Sequence, residues 1–132
     1  MKTKLTLLVT VLAAALFVGG CSGKADAIIE VHNQMAKIES AMVNQVNGAR
    51  TSAGQAAAMK TAVGKMLAID ISKCPENYQA QWNDVIQLWK KLQQAYEDED
   101  EGAVDNLLPQ SPIKTGQLNK IAESHGVEIN VP

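Results

Sequence analysis

Between residues 78 and 96 the large apolar side chains fall at Tyr78, Trp82, Val85, Trp89, Leu92 and Tyr96, in alternating steps of four and three. A helix turning once in about 3.6 residues brings all of them to one face, so this stretch is predicted to be an amphipathic helix buried along that stripe. Both tryptophans and both tyrosines of the chain lie on it. Gln81, Asn83, Gln87, Lys90, Lys91 and Gln94 fall largely on the other side, as a solvated face requires. Pro75 marks the helix start, because its missing N–H and fixed φ suit a first turn. Trp82 and Trp89 are therefore read as core residues. The competing reading is an exposed aromatic face for a partner.

Two further segments carry the same period. Ile28, Val31, Met35, Ile38 and Met42 define a helix over roughly 25–47, closed by Gly48. Ser52-Ala53-Gly54-Gln55 offers a capping box, so a second helix is expected from about Ala53, with Met59, Val63, Met66 and Ile69 on one side. Ala56 and Ala62 allow a neighbouring helix to come close, and Gly64 weakens the segment modestly. Ser111-Pro112 reads as the cap and first turn of a shorter last helix, with Leu118 and Ile121 inward and Gly126 as its stop. Leu107 and Leu108 return the chain to the core before it. The alternation Val127, Ile129, Val131 predicts an extended strip laid on the helices. The predicted fold is all-α: an up-and-down helical bundle of three amphipathic helices plus a short fourth, with a short extended C-terminal tail.

The N-terminus has a different character. Lys2 and Lys4 precede an uncharged run of apolar and small residues from Leu5 to Val18, which stops at Gly19-Gly20. A bilayer-spanning helix needs roughly 20 apolar residues, so the run reads as a cleavable signal peptide and not as a permanent span. The segment Val18-Gly19-Gly20-Cys21 resembles the lipobox of bacterial lipoproteins: an aliphatic residue, two small residues and a cysteine. The resemblance implies cleavage before Cys21 and diacylglycerol on its thiol. It also implies, from Ser22 in the position where aspartate retains Gram-negative members at the inner membrane, transfer to the outer membrane facing the periplasm. The chain then divides into a signal peptide over 1–20, a lipidated tether over 21–25 and a bundle domain over 26–132.

Cleavage would remove two of the 12 basic residues and none of the 14 acidic ones, leaving a net charge of −4. That balance offers no footprint for nucleic acid. Catalytic patterns are missing. Gly64-Lys65 resembles the end of a phosphate loop, but Met59 replaces the required glycine and Met66 the metal-binding hydroxyl. Gly-x-Ser-x-Gly, His-Glu-x-x-His and Cys-x-x-Cys do not occur, so an enzyme is not expected.

Three features keep a functional alternative open. With Cys21 lipidated, Cys74 is the one remaining thiol; it is expected to be buried, although a place near a helix N-terminus would favour its thiolate. Four-helix bundles host haem, for which Met35 or Met59 opposite His125 would be the candidate ligands. The commoner role of methionines at such positions is to fill the core, His32 lies at the edge of its stripe, and no cofactor or metal is expected. The run Glu97-Asp98-Glu99-Asp100-Glu101 before Gly102 is expected to fray into a solvated loop and is the candidate interaction site for a basic partner. As a calcium loop it would use Glu97, Glu99 and Glu101, but Leu108 occupies the position that demands a bidentate glutamate. The expected function is a membrane-tethered structural or protein-interaction module acting on another envelope component. The alternative is a bundle holding haem or a small apolar ligand.

Overall fold

The structure, a computed structural model, describes residues 15–17 and 23–129. The lipobox, Ser22 and Val131 lie outside the described residues. The chain is an all-α up-and-down bundle. Helices α1 (Gly23–Gly48), α2 (Ser52–Leu67) and α3 (Glu76–Glu97) are followed by a short α4 (Glu101–Leu107) and by α5 (Gln110–Ser124). Strand β1 (Ala15–Phe17) pairs antiparallel with β2 (Val127–Ile129). α1 packs on α2, α2 on α3, and α3 on both α4 and α5, while β2 rests against α5 and α1. No helix among the described residues is long and apolar enough to cross a membrane.

α3 is the centre of the core, and its stripe behaves as its spacing requires. Tyr78, Trp82, Val85, Trp89, Leu92 and Tyr96 are all buried, joined by Ile86, Leu88 and Ala95. Three helices surround α3, so its buried face is wider than one seam. Gln81 reaches across to α5, where its Nε2 donates to the Lys114 carbonyl at 3.0 Å. α2 buries Met59, Val63 and Met66 together with Ala56, Ala58 and Ala62, the small side chains that let it lie close to both neighbours.

The helix boundaries correct the sequence reading in three places. α2 is capped by Thr51, whose Oγ1 accepts from the Gly54 N–H at 3.1 Å, and not by Ser52. Ser52 instead turns inward and donates to Glu99 Oε1 at 3.3 Å. α5 begins at Gln110, because Leu108 and Pro109 keep helical dihedrals and carry the chain from α4 almost directly into it. Ser111 is consequently buried within the first turn and is not the cap. Gly126 ends α5 as expected, with φ +83 in the left-handed region that glycine tolerates.

The acidic run is the third. Its charges do not unwind α3 into a long loop. Glu99 takes a left-handed φ of 53, the Asp100 N–H donates to the Ala95 carbonyl at 2.9 Å and the Glu99 N–H to that of Tyr96 at 3.3 Å. This is a Schellman closure with glutamate in the place usually taken by glycine. Asp100 then caps α4 by accepting from the Ala103 N–H at 3.0 Å.

Candidate functional site

The most constrained chemistry in the molecule lies where α1, α3 and α5 meet. His32 of α1 is 0% exposed, and so is Tyr78 of α3. The His32 Nδ1 lies 2.6 Å from the Tyr78 hydroxyl, and its Nε2 lies 3.1 Å from Asn119 Oδ1 on α5. A carboxamide oxygen only accepts, so Nε2 carries the proton and donates to Asn119. Nδ1 of the neutral ring then accepts from the Tyr78 O–H. Burial is the main reason the His32 pKa falls below 6.5; the hydrogen bonds to Asn119 and to the Ile28 carbonyl offset part of it. Burial also drives the Tyr78 phenol upward, with the nearby Cys74 adding to the effect. The Tyr78 ring continues into Trp82, stacked at 6.5 Å.

His32 and Tyr78 are closed to solvent and Asn119 is half-buried, so in this conformation the imidazole meets no substrate. It can hold three helices together, and it can take up a proton only at a cost. The sequence reading placed His32 at the edge of its stripe and did not single out Asn119. The signal was present in the spacing: Ala25, Ile28, His32, Met35, Glu39, Met42 and Val46 follow a strict alternation of three and four, and all are buried. Two polar members hid it. Glu39 is 3% exposed, while Ile38, expected inside, is only half-buried.

The other candidates are not brought together at one place. Met35 and Met59 are core side chains at 0% and 1% exposure. His125 sits at the C-terminal cap of α5, with Nε2 3.1 Å from Asn77 Oδ1. Cys74 is buried at 5% exposure, directly before the Pro75 cap of α3. Its thiol is pushed up to about 11, first by burial and then by the carboxylates of Asp70 and Glu30. The activated thiolate that a helix N-terminus favours is therefore not formed here.

Four of the five acidic candidates already receive a hydrogen bond from the fold. Glu97 accepts from Gln93 at 3.0 Å, Asp98 from Gln94 at 2.9 Å, Glu99 from Ser52 at 3.3 Å and Asp100 from the Ala103 N–H at 3.0 Å. Glu101 stands in the first turn of α4, where a negative charge suits the helix dipole. All five remain exposed, at the end of the bundle opposite the N-terminus of α1. No group of three or more His, Cys, Asp or Glu side chains among the described residues is arranged to hold a metal ion.

At the near end an open cleft of about 440 Å³ lies between the first turns of α1 and the α2–α3 connection, with Asp26, Glu30, Gln34, Asp70 and Lys73 on its walls. Asp70 is held there by the Ser72 N–H at 2.9 Å, and hydrogen bonding to Ser72 lowers its pKa. Compared with protein-family models, with curated proteins and with solved structures, the chain matches none.

Proposed function

We propose that this chain is a lipid-anchored protein of the bacterial envelope whose helical bundle serves as a structural or protein-interaction module. The observation that carries the reading is the ordered series of Lys2 and Lys4, the apolar run, Gly19-Gly20 and Cys21. Ser22 adds the outer membrane, facing the periplasm, as the destination in a Gram-negative cell. In this reading the lipid sits two residues before the start of α1 at Gly23. The tether is then shorter than the segment 21–25, and the bundle stands close to the bilayer on its α1 N-terminal end. With α1 26 residues long, the acidic turn Glu97–Glu101 stands about 40 Å from the lipid, at about 1.5 Å rise per residue. A basic surface on another envelope component is the partner that such a turn would meet. Strand β1 belongs to the part that cleavage removes, so the processed protein would keep β2 on the bundle without that partner.

Labelling cells with a radioactive fatty acid tests the anchor. The wild-type chain is expected to incorporate label and to stay membrane-bound through a high-salt wash, and Cys21→Ser to do neither. Label retained in Cys21→Ser would overturn the reading.

A further inference from the structure

The bundle holds one imidazole whose two ring nitrogens are committed to side chains from two other helices, in a place that water does not reach. We propose that the His32–Tyr78–Asn119 cluster is an acid-operated clasp: neutral His32 holds α5 and β2 against α1 and α3, and a proton on His32 releases them. A proton can enter only at Nδ1, because Nε2 already carries one to reach Asn119. Nδ1–H then faces the Tyr78 hydroxyl, which had been its donor at 2.6 Å, so that O–H loses its acceptor inside the core. The ring becomes a buried cation whose polar partners are a phenol, a carboxamide and the Ile28 carbonyl, none of them anionic.

The surrounding charges do not supply the missing anion. On α1, Asp26, Glu30 and Lys37 are exposed, and the buried Glu39 stands seven residues along the helix, about 10 Å away at 1.5 Å per residue. On α2, Lys60 and Lys65 face solvent. Behind Tyr78 lies Cys74, held as the thiol. On α5, Lys120 and Glu123 are exposed and Lys114 leans on Asp84 at 3.5 Å; beyond it, His125 is held on Asn77, and Glu128 of β2 is exposed. Burial accordingly depresses the His32 pKa. Opening is the remaining way to hydrate the cation, and the element that can leave is α5: it packs chiefly on α3 and β2, and its Asn119 is the side chain that ties it to the imidazole. Release uncovers the Tyr78 and Trp82 end of the α3 stripe. None of this depends on the lipid anchor.

Hydrogen exchange by mass spectrometry on the full chain in detergent micelles, between about pH 7.5 and 5, tests the clasp. Exchange protection over residues 110–129 is expected to fall by up to tenfold per pH unit, the limit for one proton, while that of α2 holds. In His32→Gln the protection should no longer vary with pH. In Asn119→Asp the new carboxylate beside the ring should move the onset of opening by about one pH unit or more to the acid side. A fall shared equally by α2 and α5 would overturn the proposal. So would a folded His32→Gln that still opens with acid, or an onset unmoved in Asn119→Asp; if either variant does not fold, the other carries the test.

Discussion

Trp82 and Trp89 are equally buried, each 3% exposed, yet they are expected to respond differently to the same substitution. Trp82 stacks on Tyr78. Trp89 leaves its indole Nε1–H without an acceptor, one of two buried side-chain polar atoms so placed among the described residues; the other is the Tyr96 hydroxyl. Burying a side chain of this size removes about 200 Å² from water, about 5 kcal/mol at about 25 cal/mol per Å². An unpartnered buried N–H gives back about 1–3 kcal/mol of that. Trp89→Ala should therefore cost about 2–4 kcal/mol, about 1 kcal/mol less than the usual aromatic truncation. Trp89→Phe deletes the orphan donor along with part of the ring, and the two effects should cancel to within about 1 kcal/mol. Trp82→Phe has no such relief and should cost about 1–2 kcal/mol. Urea unfolding followed by far-UV circular dichroism, with the slope m unchanged between variants, measures these differences. If Trp89→Phe costs as much as Trp82→Phe, the indole N–H is not a liability and the reasoning fails.

Other expectations follow from single features. A Cβ added at Gly64 of α2 or at Gly116 of α5 meets nothing within 4 Å. Gly64→Ala and Gly116→Ala should then each raise stability by about 0.5–1 kcal/mol in urea unfolding, and a loss at either site would count against the helix placement. With its thiol at about 11, Cys74 is thiolate to only about one part in a thousand at pH 8. Native protein should resist iodoacetamide until urea unfolds it, and labelling at the rate of a free thiol would contradict its burial. The folded-state pKa of His32 lies below 6.5, so the unfolded chain binds the extra proton first. Stability should be full above pH 6.5 and decline as the pH falls below it, by at most about 1.4 kcal/mol per pH unit, until the folded-state pKa is passed. His32→Gln should remove that part of the pH profile, and an unchanged profile in urea titrations would refute the assignment.

The fold was legible wherever a stripe was made of apolar residues alone. Tyr78 to Tyr96 specified α3 and its buried face, and Met59, Val63 and Met66 did the same for α2. The reading slipped on α1, where two interleaved registers share Ile28, Met35 and Met42. One continues through Val31 and Ile38, the other through His32 and Glu39. Hydrophobicity favours the first, yet His32 and Glu39 are buried while Ile38 is only half so. A polar side chain earns an interior place through its partners, and Tyr78 and Asn119 are 46 and 87 residues away from His32, beyond the reach of any local pattern. The acidic run misled for a related reason. Repulsion between neighbouring carboxylates is a local signal, whereas the turn is held by donors from Gln93, Gln94, Ser52 and the Ala103 N–H. The resemblance at Cys21 was legible in the sequence but lies outside the described residues.

Apolar stripes by themselves leave a bundle under-specified, since one greasy helix face fits another in several registers and the helices can close in either sense around the core. The His32 cluster is satisfied in only one of these arrangements. Sliding α5 by a single turn, about 5.4 Å, carries Asn119 away from the imidazole and strands a buried donor at about 1–3 kcal/mol. In the correct register the two hydrogen bonds add little net stability, because water offered equivalent ones before folding. Their effect is to raise the alternatives. The same reasoning explains why the device is sensitive to acid: a proton entering at Nδ1 takes away the acceptor of the Tyr78 O–H and leaves a buried cation with no anionic partner. Specificity of register and vulnerability to protonation are thus two consequences of burying His32 between Tyr78 and Asn119.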